Sequence, residues 1–283
     1  MNNKVLVVGT VRNCSKTLRK VIRTLERELL AVGRDPEFFL VESDSDDSTV
    51  NRLQELSNTQ ANFRFVSLGN LKASIPDRVP RIAFCRNRYL EELERLNHAE
   101  DKFNHLVVSD FDEVNSKIQF PGKGDWLFSD QSVFTANQFG RYYDVFALRA
   151  PGWVEEDYRL TIQKHLGEGA RPLQAYLQAV SQKQVHIQPL RKPFEVQSAF
   201  GGLAIYPTNV LEGLRYAPQQ LTETLYVCEH VSLSKSIWSK GIKVMIAPSL
   251  RNKGSLSHTF SSIPIVLAFL KRVPGVNFWG RRL

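Results

Sequence analysis

Residues 4–9 read KVLVVG, with no polar position between Val5 and Val8. A strand with one face in water alternates apolar and polar side chains, so this one is expected to be buried on both faces, as in a parallel sheet covered by helices. Working outward, Ser15 is a candidate N-cap for a helix in which Leu18, Val21, Ile22, Leu25 and Leu29 recur at helical spacing. Phe38 to Val41 reads as the second strand. The acidic turn ESDSDDST (42–49) then opens a helix with Val50, Leu53 and Leu56 on one face, and Asp46 and Asp47 fall near its positive end. Phe63 to Leu68 is a third strand. Pro80 suits the start of a helix lined by Ile82, Tyr89, Leu93 and Leu96, and HLVVS (105–109) is the fourth strand. Strands alternating with amphipathic helices predict an α/β fold with a mostly parallel central sheet flanked by helices.

Beyond residue 120 the pattern loosens. Short strands are expected near 132–136, 144–148, 185–188, 203–206 and 243–247, with a helix from about 226 to 240. No linker separates a second unit, so both halves are read as one sheet.

Composition narrows the classes. A chain of 283 residues with 42% hydrophobic and 23% charged residues can bury a sizeable core. Three distant cysteines, Cys14, Cys85 and Cys228, support neither a disulfide framework nor a metal knuckle, and fit a reducing, cytoplasmic setting. Met1 leads directly into NNKVLVVGT, which reads as a core strand rather than a signal peptide. No apolar run reaches the length of a spanning helix. The net charge of +8 raises nucleic acid as a partner, but the basic clusters lack interleaved base-stacking aromatics, so no nucleic acid is expected.

The chemistry concentrates where the fourth strand ends in Asp110-Phe111-Asp112-Glu113. Ligands of parallel sheets bind outside the carboxyl ends of strands, and two carboxylates one residue apart offer hard oxygen ligands to Mn2+ or Mg2+. Asp112 is the better direct ligand, with Asp110 contacting the metal through water or a ribose. A solvated acidic turn is the bland alternative.

Set in order along the chain, VLVVGTVRN, then FFLVESDSDDST, resembles the nucleotide-binding half of GT-A-fold (Rossmann-related) glycosyltransferases. Ser43-Asp44 departs from that family's usual Asp-Gly. Together with RIAFCRNRYLEEL (81–93), YDVFALR (143–149), SAFGGLAIYP (198–207) and YVCEHVSLSKSIWSKGIKVMIAP (226–248), the chain more closely resembles the fungal capsular α-1,3-mannosyltransferase family and its bacterial and viral relatives. The resemblance implies a single GT-A-like catalytic domain over 1–260, with a nucleotide-sugar half at 1–115, an acceptor half at 116–260, and an apolar, basic tail at 261–283.

It also implies roles. Glu42 and the turn holding Thr10, Arg12 and Asn13 would seat the nucleoside. Arg81 or Arg86 would reach a diphosphate, for which guanidinium is well shaped. Gly201 and Gly202 would wall a sugar site, or simply form a bulge. His258 would return to the metal, favouring manganese. Glu229 is either the base that takes an acceptor proton or half of an ion pair, with Arg149 as a candidate partner. A base there points to inversion, whereas the family resemblance points to retention. The expected reaction moves a hexosyl unit, mannosyl by the resemblance, from a nucleotide diphosphate sugar to a glycan or lipid-linked glycan. The apolar, cationic tail would then lie at the inner face of a membrane, or simply pack on the core with a basic end. A nucleotidyltransferase and a non-catalytic carbohydrate-binding protein are the competing readings. The first usually needs a glycine-rich loop, and VGTVRNCS supplies one glycine.

Overall fold

The computed structural model describes residues 3–98, 103–122 and 124–254. Its first half is β1 (Lys4–Val11), α1 (Leu18–Ala31), β2 (Asp35–Glu42), α2 (Thr49–Thr59), β3 (Phe63–Ser67), α3 (Arg78–His98) and β4 (His105–Ser109). The second half comprises β5 (Ile118–Gln119), β6 (Ser132–Gln138), α4 (Tyr158–Gly167), α5 (Pro172–Ala179), β7 (Phe194–Val196), β8 (Leu203–Pro207), α6 (Thr208–Leu211), α7 (Glu229–Ser239) and β9 (Lys243–Asn252).

Among the described residues these strands form one sheet in the order β3-β2-β1-β4-β8-β6-β9-β5, with β7 also paired to β9. The two faces of β1 are buried in different clusters: Leu6 and Val8 join Tyr89, Leu93, Leu233 and Ile237, while Val5 and Val7 join Leu18, Val21, Ile22 and Leu25. That double burial is what the unbroken KVLVVG run requires.

The four strands β3, β2, β1 and β4 are mutually parallel. The rest of the sheet is mixed. Strand β8 runs antiparallel to both β4 and β6, β9 is parallel to β6, and β5 and β7 are antiparallel to β9. The reversal at β8 has a local cause. It begins where β4 ends, the Asp110 N–H donating to the Gly202 carbonyl at 2.9 Å, and a strand starting beside its neighbour's end must run back along it.

Several expected elements take other forms. Residues 144–148 and 185–188 are not strands. Side chains replace a ladder there: Asp144 accepts the Ala147 N–H at 3.2 Å, and the Gln184 amide donates to the Tyr143 carbonyl at 3.1 Å. Ser15 does not cap α1, which starts at Leu18; its hydroxyl donates to Asp47 at 2.7 Å. Helix α4 was not expected because it buries no residue and so leaves no apolar stripe to read. The three cysteines are free and buried. Among the described residues no helix is long and apolar enough to cross a membrane. His258 and the 261–283 tail lie outside the described residues.

One buried group makes stability depend on pH. His105, at the start of β4, packs edge-on to Phe128 with ring centroids 5.4 Å apart, and its Nε2 lies 3.8 Å from Asp130 Oδ1. Burial lowers its pKa below the ordinary 6.5, Asp130 only partly opposing this. The unfolded chain therefore binds the proton more readily, and stability falls as pH drops through about 6.5 toward the folded value. Urea midpoints of the native chain and His105→Phe, measured down this pH window, are expected to diverge, with the native chain losing more.

Candidate functional site

The parallel register brings Val11 of β1 opposite Glu42 of β2, with Ser109 closing β4 on the far side of β1, so the turns after these strands share one carboxyl edge. At the end of β4, Asp110 is half-buried and Asp112 exposed. Asp112 accepts the Val114 N–H at 2.9 Å, capping the short 3-10 turn Glu113–Asn115. Burial first, then the charge of Asp112, pushes the Asp110 pKa up to about 8; Arg86 opposes this, while Asp144 and Glu229 add to it.

A buried amide network holds this turn from behind. The Asn115 amide donates to Ser109 Oγ at 2.9 Å, the Asp110 carbonyl at 3.0 Å and the Gly202 carbonyl at 2.6 Å. Asn252 in turn donates to Asn115 Oδ1 at 2.9 Å and the Gly201 carbonyl at 2.7 Å, and Gln138 Nε2 donates to the same carbonyl at 3.1 Å. Satisfied in this way, buried amides fix the turn rather than cost stability. Sequence reading missed all three. Asn115, Gln138 and Asn252 follow no periodicity, and the only local hint was Asn115 closing the DFDEVN run.

Gly201 and Gly202 are buried against the back of this turn, at φ of +63° and +82°. A Cβ on Gly201 would lie 2.3 Å from the Ala136 carbonyl oxygen, and one on Gly202 2.5 Å from Val114 Cγ1. Asp144 Oδ2 accepts the Gly201 N–H at 3.0 Å. Gly201→Ala combines a left-handed backbone with this clash and is expected to cost upwards of about 2 kcal/mol, read as a fall in the thermal midpoint.

Arg86 on α3 and Glu229 at the start of α7 are 5% and 4% exposed, and Arg86 Nε lies 3.1 Å from Glu229 Oε1. Arg86 also donates to the Tyr89 hydroxyl at 3.2 Å, and its guanidinium lies over the Phe200 ring at 5.2 Å. Burial works against its charge, but Tyr89, Glu229, Tyr216 and Asp110 together hold its pKa above the ordinary value. The partner of Glu229 is thus Arg86; Arg149 pairs instead with Asp157 at 3.4 Å. Beside them His230 stacks on Phe200 at 3.9 Å, and burial followed by the Arg86 charge lowers its pKa, keeping it neutral.

The upstream turn is latched internally. Glu42 is buried, accepting the Ser45 N–H at 2.9 Å and the Ser67 hydroxyl. Asp44, at φ +60°, accepts the Lys72 N–H at 2.8 Å and has Arg81 Nε 3.4 Å away. Arg81 is buried, donating to the carbonyls of Ile75 and Pro76 at 2.7 and 2.9 Å. Arg12 donates to the Asp44 carbonyl at 3.1 Å, and Asn13 Oδ1 accepts the Asp46 N–H at 2.9 Å, while both residues stay exposed and Thr10 is half-buried. The Thr17 hydroxyl donates to the Phe111 carbonyl at 2.9 Å, tying this half to the acidic turn.

The structure thus brings Thr10, Arg12, Asn13 and Glu42 together on one side, and Asp110, Asp112, Arg86, Glu229, Gly201 and Gly202 on the other. Among the described residues no three His, Cys, Asp or Glu side chains form a closed metal cage. Two carboxylates one residue apart, Asp112 exposed and Asp110 half-buried, are hard oxygen ligands of the kind that suit a divalent ion whose remaining ligands are water or phosphate oxygens.

The fold and site together define an α/β protein with an acidic carboxyl edge. No family model and no curated protein matches the chain. Among solved structures it is similar to S. aureus TarS residues 1–349, with a TM-score of 0.47 and 12% identity over 96% of this chain and 66% of that one. It is also similar to the mannosyltransferase PcManGT from Pyrobaculum calidifontis in complex with GDP-Man and Mn2+ (TM-score 0.43, 13% identity, 88% and 55% coverage). A third is glucosyl-3-phosphoglycerate synthase from Mycobacterium tuberculosis in complex with Mn2+, UDP-Glc and phosphoglyceric acid (TM-score 0.40, 16% identity, 84% and 64% coverage). The chain spans less than two thirds of the length of each. The likeness to the fungal capsular family is one of sequence motifs.

Proposed function

We propose that the chain transfers a hexosyl unit, mannosyl by its motifs, from a nucleotide diphosphate sugar to a glycan or lipid-linked glycan hydroxyl, with Mn2+ or Mg2+ held by Asp112 and Asp110. The observation that carries this reading is the Asp110-Phe111-Asp112 turn at the carboxyl end of β4, fixed from behind by Asn115 and Gly202. A divalent ion held by these two carboxylates would offset negative charge on the departing nucleoside diphosphate. The exposed Arg12 and Asn13, with Thr10, would face the nucleoside. Glu42 would shape that turn through Ser45 and Ser67 rather than meet the ligand directly.

Burial of the Arg86 and Glu229 pair supports its reading as a charge-balanced brace behind Asp110. Glu229 as an acceptor base would have to leave Arg86 first. Glu229→Gln is therefore expected to keep the stereochemistry of transfer while lowering stability. Incubation with a panel of nucleotide sugars and Mn2+ should release nucleoside diphosphate, and proton NMR of the anomeric centre reads retention or inversion. No release from any donor would sink the proposal.

A further inference from the structure

The basic cluster at Arg191 and Lys192 has no part in the site described above. From Gly169 to Phe194 the chain has no Asp or Glu and carries Arg171, Lys183, Arg191 and Lys192. Within that stretch Leu190 is 98% exposed, against 36–55% for the other exposed large hydrophobics among the described residues. Isolated apolar residues at partial exposure are ordinary on protein surfaces, but a fully solvated leucine at a loop tip is not stabilised by the fold. Pro189 and Pro193 bracket this tip and restrict its backbone. The Arg191 guanidinium lies 4.3 Å from the centre of the Phe194 ring, next to the start of β7.

Sheet topology fixes which edge the tip occupies. Strands β4, β6 and β9 point the same way, and β7 runs against β9 with Phe194 opposite Ile246 and Val196 opposite Val244. The residues before Phe194 therefore leave the sheet toward the carboxyl edge, where Asp110 lies. The root of the loop is fixed to that edge, Asn137 at the end of β6 donating to the Ile187 carbonyl at 3.1 Å. Arg141 bridges to His186, and the Tyr142 N–H donates to the carbonyl of Val185, itself 40% exposed. Cations and solvated apolar side chains thus share one rim.

We propose that the 188–193 loop docks on an anionic lipid surface, Leu190 entering the headgroup and acyl boundary while Arg191, Lys192 and Arg141 meet lipid phosphates. Apolar insertion combined with cationic attraction is the chemistry of peripheral membrane contact. An acidic protein would satisfy the cations but gives no reason for a single leucine at the tip. Docking of this kind is independent of the transfer chemistry.

The native cysteines are buried, so Leu190→Cys labelled with an environment-sensitive dye reports on the tip alone. With vesicles of equimolar phosphatidylglycerol and phosphatidylcholine, the dye emission is expected to shift to the blue. Phosphatidylcholine vesicles should leave it unchanged. In sedimentation with the mixed vesicles, R191Q/K192Q and L190S are each expected to weaken binding by on the order of 10-fold, with nucleotide-sugar binding unaltered. Three results overturn the proposal: no sedimentation with the mixed vesicles, sedimentation while the dye at 190 stays in water, or an equal blue shift on adding soluble polyglutamate.

Discussion

Replacing Arg86 by Met is expected to cost on the order of 3–5 kcal/mol, as urea unfolding would show. The cost is not the loss of an attraction alone. Glu229 is 4% exposed, and its other oxygen accepts from the Cys228 thiol at 3.7 Å, so without Arg86 a carboxylate stays buried and uncompensated. Asp110 would lose the Arg86 charge that opposes its raised pKa. The pairing also makes a sharper prediction. The double variant R86M/E229L removes both charges, and it should recover most of the stability lost in R86M, because apolar replacement of a whole buried pair is often neutral. If R86M and E229L simply added, the two residues would not be acting as a pair.

Asp112→Asn is expected to act on binding and leave the fold intact. The amide oxygen can still accept the Val114 N–H that Asp112 Oδ1 accepts at 2.9 Å, and the side chain is exposed, so the thermal midpoint should barely move. What is lost is one of the two carboxylates that would hold a divalent ion. Metal-dependent nucleotide-sugar affinity should fall by more than about 100-fold, since even residues behind a ligand are typically worth 10–100-fold. Calorimetry on the two proteins in the same Mn2+ buffer separates this from unfolding. An Asp112→Asn protein that bound donor normally would remove the metal assignment.

How much of this was legible in the sequence follows from how local each feature is. The strand from Lys4 declares itself because four adjacent apolar residues have no solvated face, and the acidic end of β4 declares itself because both carboxylates sit in one tripeptide. The Arg86 and Glu229 pair is 143 positions apart in the chain, and nothing in either segment says that they meet. Asn115 and Asn252, 137 positions apart, are hidden for the same reason. Helix α4 was missed for a different one: without a buried residue it carries no helical period. The Gly-Gly pair was visible, but its purpose was not. The left-handed backbone and the contacts with Ala136 and Val114 show it closing the rear of the acidic turn, a packing demand that sequence spacing does not express.

If the acidic turn holds a divalent ion for a nucleotide diphosphate sugar, donor binding depends on that ion. Titration calorimetry of the intact chain with a panel of nucleotide sugars, run with Mn2+ and again with a chelator, tests it most directly. Saturable binding of at least one donor is expected, and it should disappear when the metal is removed. Absence of binding across the panel in Mn2+, or binding equally tight in chelator, would contradict it.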